Sequence, residues 1–165
     1  VIIKYILILW LLLQVPFIDQ NAPEWWLAND CGPATAQMVI QFYTGETFHP
    51  HTYYNETGAK KSDVQASSDI ARWMGTKGVP STVQHNWTIE QLREAFAESI
   101  PVITIIETPL GGHFVLMVGL TKNRIFIHDP SEGPNQSIPL DEFETMWEYP
   151  SSWRDNRVIV PNEAP

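Results

Sequence analysis

Asn29-Asp30-Cys31-Gly32-Pro33-Ala34-Thr35-Ala36 is the stretch on which the reading of this chain turns. It carries the sequence's one cysteine, at the point where an irregular segment gives way to an apolar-striped helix. Ala34, Met38 and Phe42, with Val39 and Tyr43 beside them, form the stripe. Pro33 suits a first turn, and Gly45 is a C-terminal stop. A lone cysteine cannot be half of an internal disulfide, which leaves a small buried hydrophobe or a nucleophile. Unpaired N–H groups and the positive dipole end of a helix stabilise a thiolate at such a position.

Composition bounds the alternatives. The chain of 165 residues is 44% hydrophobic with seven tryptophans, enough for one core and short for two. A formal net charge of −9 argues against a nucleic-acid surface. Residues 1–13 (VIIKYILILWLLL) are apolar except for Lys4 and Tyr5, too short a run for a spanning helix. They read as an apolar leader, an anchor remnant or a first core strand, with 14–165 as a single domain. Membrane association is expected only through that segment. A secreted or membrane-associated location is favoured over the cytoplasm. Sequons at Asn55, Asn86 and Asn135 matter only in a glycosylating host.

The chain changes character halfway. Residues 45–61 read as a loop, and a second helix is predicted over 63–74, stopped by Gly75 and Gly78. Thr88 and Gln91 form a capping box for a third helix reaching Glu98. Strands follow at 101–107, at 113–120, apolar on both faces as a central strand should be, and at 124–129. A short helix over 141–147 and a last strand over 157–161 close the chain. Helices first and antiparallel strands second predict an α+β fold with a helix lying on one face of the sheet.

A cysteine nucleophile needs a base and an orienter for that base. His49 and His51 flank Pro50 in a loop, without further ligands nearby for a metal. His85 lies in a connection near Trp87, and alternation sends His128 to the face opposite Asp129. His113 opens the central strand directly after Gly111-Gly112, where a side chain can stand at the sheet's rim. Positions 113 and 129 are equidistant from 121, where the turn begins. An antiparallel hairpin therefore brings Asp129 beside His113, within a residue or two of register. Asp129 can then accept from one imidazole nitrogen and aim the other at Cys31.

Taken in order, Val15-Pro16-Phe17-Ile18-Asp19-Gln20, Asp30-Cys31-Gly32-Pro33-Ala34, Gly112-His113-Phe114-Val115 and His128-Asp129-Pro130 resemble the double-glycine (bacteriocin-leader) peptidase-like family of papain-fold cysteine peptidases, its stand-alone branch above all. The resemblance spans residues 15 to 130. It implies a papain-like fold, with Cys31 as nucleophile, His113 as base and Asp129 as orienter. It further implies Gln20 as an oxyanion donor beside the Cys31 N–H. Gln14 precedes the Val-Pro pair and does not match. The Gln20-to-Cys31 gap holds Trp25 and Trp26, so that loop must fold back. The Cys-Gly-[Ser/Ala] lead-in of papain proper is absent.

The expected activity is thiol-dependent peptide hydrolysis by a monomer acting on a peptide or protein substrate, with no metal or organic cofactor implied. Two alternatives stand beside it. One is an acyl- or amidotransferase using the same residues. The other is a non-catalytic peptide-binding domain with Trp25, Trp26 and Trp87 lining its groove.

Overall fold

The computed structural model describes residues 12–22, 30–49, 51–60, 62–147 and 155–162. Three helices come first: α1 (Cys31–Thr44), α2 (Thr52–Thr57) and α3 (Ser67–Thr76). Then follow β1 (Ser81–Gln84), α4 (Ile89–Ala97), β2 (Val102–Thr108), β3 (Gly111–Leu120), β4 (Arg124–Asp129), β5 (Gly133–Pro139), α5 (Leu140–Trp147) and β6 (Val158–Pro161). The six strands form one sheet in the order β1-β6-β2-β3-β4-β5, every neighbouring pair antiparallel.

Helix α1 begins at Cys31 and ends where Gly45 turns left-handed at φ 72°, its N–H donated to Gln41 O. Burial is continuous from Gly32 to Ile40, wider than the predicted stripe, because α1 packs against both β3 and α3. The capping box of α4 forms as predicted. Thr88 Oγ1 accepts from the Gln91 N–H, and Gln91 Oε1 accepts from the Thr88 N–H.

The core has two halves. On one side of the sheet, α1, α2 and α3 pack on Ile103, Phe114, Leu116, Val118, Phe126 and Ile159. On the other, α4 and α5 cover Val102, Ile106, Val115, Met117, Ile125, Ile127, Val158 and Val160. Helices therefore lie on both faces, not on one. Trp147 of α5 donates Nε1–H to Thr104 Oγ1 at 2.8 Å, and that hydroxyl donates to Arg157 O at 2.7 Å, tying α5 to the middle of the sheet. Three elements escaped the sequence reading: α2 within the supposed loop, and the edge strands β1 and β5. Neither edge strand carries an apolar run, since each has neighbours on one side only.

The hairpin register falls two residues from the equidistant pairing, at the edge of the predicted margin. Leu116 pairs with His128, so continuing the ladder sets Asp129 beside Val115 rather than His113. A two-residue offset preserves the face, and the diagonal neighbour stays within reach.

Part of the segment 12–22 packs in the core half that α1, α2 and α3 cover. Leu12 and Val15 are buried in the first core half, and the Leu13 N–H donates to Val118 O at 2.8 Å. The expectation of a leader, anchor or strand rests on residues of which 1–11 lie outside the described ones. No helix among the described residues is long and apolar enough to cross a membrane.

His128 fastens this segment to β4. Its Nε2–H donates to Val15 O at 3.0 Å, its Nδ1 accepts from the Asn135 N–H at 3.1 Å, and Phe17 meets the ring edge-on. Both nitrogens are satisfied only in the neutral form, and burial holds the group below the ordinary imidazole range. The unfolded chain, with an imidazole pKa of about 6.5, then binds more protons on acidification. Stability is complete above that pH and is lost as the pH falls towards the folded value. His113, raised to about 9, acts in the opposite direction over the same range, so the His128 contribution is read as a difference between two proteins. His128→Gln, which does not titrate, should lower stability at pH 7 by about 1–2 kcal/mol, and the gap between the native and variant urea midpoints should narrow from pH 7 to pH 5.5.

Candidate active site

The start of α1 and the start of β3 are pressed together. A Cβ added to Gly32 would stand 3.1 Å from Ile70 Cδ1, 3.3 Å from Phe114 Cδ2 and 3.4 Å from Gln65 Oε1. A side chain here would have to push these neighbours back by a few tenths of an ångström, so glycine suits the close contact that brings the residues before Gly32 and Phe114 near each other. Those residues are Cys31, which is half-buried, and His113, whose imidazole pKa is raised in part by its interaction with the Cys31 thiol. Thr35 supports the helix start from inside, its hydroxyl 2.9 Å from both Cys31 O and Gly32 O. A cavity of about 280 Å³, lined by Tyr53, Thr57, Ala59, Val64, Gln65 and Arg72 among others, shares Gln65 with this contact but is not lined by Cys31, Gly32 or His113.

His113 donates Nε2–H to Asp129 Oδ1 at 2.7 Å, which leaves Nδ1 as the nitrogen for Cys31. Burial by itself would push the imidazole pKa down. The hydrogen bond to Asp129 and the contact with Cys31 outweigh burial and raise it to about 9. Asp129 answers in kind. Burial would raise its carboxyl, but the bonds from His113 and Ser131 hold it below the usual carboxylate range. Ser131 contributes both its N–H and its Oγ–H to Asp129 Oδ1, each at 2.9 Å.

Gln20 is anchored to the same turn. Its N–H donates to Pro130 O at 2.9 Å, and the Asn21 side chain donates to Ser131 O at 2.9 Å. The Gln20 side-chain oxygen is buried without a hydrogen-bond partner among the described residues. Residues 23–29, with Trp25 and Trp26, lie outside the described residues, and with them the fold-back expected there.

Other residues have different places. His49 Nδ1 accepts from the His51 N–H on the surface, and exposed His85 pairs with Asp155 at 2.7 Å. Among the described residues no group of three His, Cys, Asp or Glu side chains is placed to hold a metal ion. Trp87 is buried in the second core half and lines no groove at Cys31. Sequence reasoning gave no role to Asp30, Tyr54 or Ser131. Asp30 is fully buried and accepts from the Tyr54 hydroxyl at 2.6 Å. Burial first, then Asp30, pushes the Tyr54 phenol well above its ordinary value. The signal for Ser131 was the Asp-x-Ser spacing, in which a hydroxyl two residues on can cap the carboxylate.

This arrangement has relatives. A sequence model of the C39-like peptidase family matches residues 12–152, and the chain belongs to that family. No curated protein matches it in sequence. A Bacillus anthracis protein assigned as a C39-like peptidase superposes with a TM-score of 0.70 at 19% identity, over 93% of this chain and 97% of that one. A double-glycine-motif protease from an AMS/PCAT transporter, solved with a leader peptide, gives 0.65 at 20% identity over 92% and 94%. The peptidase domain of Streptococcus ComA gives 0.66 at 16% identity over 89% and 96%. The fold is the papain-like one of these peptidases.

The electrostatics can be read directly. Followed by NMR, the His113 ring should titrate near 9 in the native protein. In Asp129→Asn the raising interaction is lost while burial persists, so the midpoint should fall by more than a unit.

Proposed function

We propose that the protein is a cysteine peptidase that cleaves amide bonds through a thioester on Cys31. The observation that carries the reading is the line of contacts from Cys31 through His113 to Asp129, built from a helix start and two neighbouring strands. His113 takes the thiol proton, and the resulting imidazolium is stabilised by Asp129. The thiolate attacks the carbonyl carbon, forming a C–S bond. The oxyanion is received by the Cys31 N–H and the Gln20 side-chain N–H2. His113 then gives its proton to the leaving amine as the C–N bond breaks. Water, activated by the same imidazole, resolves the thioester to a free acid and restores the thiol.

Membership of the family supports a peptide or protein segment as substrate, as does the leader peptide held by the AMS/PCAT neighbour.

With peptide-library substrates and product analysis, a free carboxylic acid should appear. An amide or ester formed with an added amine instead would identify a transferase. Cys31→Ser should abolish turnover with the fold intact. His113→Ala should cut kcat by orders of magnitude, while His49→Ala, His51→Ala and His85→Ala leave it nearly unchanged. Gln20→Ala should lower kcat by about 10²-fold with little change in KM. Because the ion pair needs a protonated imidazole, kcat/KM should fall on the alkaline side through about 9.

A further inference from the structure

We propose that Ser131 is a positioning residue for the Cys31–His113 pair, acting through Asp129. The inference rests on the triad reading above and on the geometry of the turn that follows β4. Asp129 Oδ1 is the oxygen that receives His113 Nε2–H. The same oxygen receives the Ser131 N–H and the Ser131 hydroxyl, both at 2.9 Å. The Ser131 Oγ also lies 3.4 Å from His113 Nε2. One side chain thus touches both the base and its orienter. Three donors converging on one carboxylate oxygen fix its position and favour its ionised form. A fixed, ionised Asp129 stabilises the imidazolium, and the imidazolium stabilises the thiolate.

The turn is held independently of the hydroxyl. Glu132 N–H donates to Asp129 O, Gln20 N–H to Pro130 O and the Asn21 side chain to Ser131 O. Removing Oγ leaves all three bonds in place, so the substitution isolates the hydroxyl's effect on Asp129.

Cys31 is the other titratable group that acts on His113; Asp30 and Tyr54 lie at the start of α1 and on α2, Glu107 is opposite Gly112 on β2, and Glu132 follows in the turn. All of them remain in a Ser131 variant, so a difference between variants reports Ser131 alone.

The test needs no substrate. Alkylation of Cys31 by iodoacetamide is followed against pH in the native protein and in Ser131→Ala, Ser131→Val and Ser131→Thr, with melting temperatures measured alongside. Threonine keeps the hydroxyl, and valine matches its shape without it. The alanine and valine variants should move the midpoint of the alkylation profile to higher pH. Their reaction at pH 6 should be about three- to ten-fold slower, and threonine should restore it. Unchanged profiles in alanine and valine, or an equal shift in threonine and valine, would overturn the role of Ser131. A native protein that already reacts at pH 6 as slowly as an ordinary thiol would instead overturn the cysteine-peptidase reading, and the role of Ser131 with it.

Discussion

The close approach of Gly32 to Phe114 is the constraint on which the rest of the site depends. A helix start and a strand start ordinarily keep the distance that their side chains impose. Here one partner has no side chain, and the ring of the other comes within 3.3 Å of where a Cβ would stand. The residues immediately before each, Cys31 and His113, are carried into contact as a result. The site is therefore a by-product of core packing. Its geometry is held by Ile70, Gln65 and Phe114, which need have no chemistry of their own.

The end of β4 does the complementary work through alternation. His128 and Asp129 are neighbours in sequence and point to opposite faces. One ring reaches the Val15 carbonyl and fixes the segment that carries Gln20. The adjacent carboxylate reaches His113. The Pro130 and Ser131 carbonyls then accept from Gln20 and Asn21, so the two functions are joined again just beyond the strand. His113, Asp129 and Gln20 are thus tied into one hydrogen-bonded unit, although the chain distance from Gln20 to Asp129 exceeds one hundred residues.

How much of this was legible depended on which interactions were local. The helix start at Cys31, the capping box at Thr88 and the strand 124–129 rest on residue types within one turn or one strand, and each appears where the sequence placed it. Pairing His113 with Asp129 survived a register offset of two because side chains return to the same face every second residue. The edge strands β1 and β5 left no such mark, since their partners supply what their own sequences lack. Helix α2 was hidden for a related reason. Its tyrosines are buried by α3 and the start of α1, and nothing in Thr52–Thr57 announces those neighbours. Buried Asp30 and the capping hydroxyl of Ser131 are long-range or turn-specific bonds that composition cannot reveal.

The buried carboxylate of Asp30 changes the weight of one sequence argument. A helix N-terminus carries the equivalent of about half a positive charge, and on that ground alone it favours a thiolate at Cys31. Asp30, immediately before it, is fully buried, and Tyr54 supplies it with a short hydrogen bond. A carboxylate at the same helix end draws on the same field and repels a second anion beside it. The helix start is therefore a weaker argument for a thiolate than the sequence alone made it. In the mechanism proposed above, negative charge on sulfur is balanced by the His113 imidazolium, and the bonds that hold Asp129 in its turn bear on the chemistry through that ring.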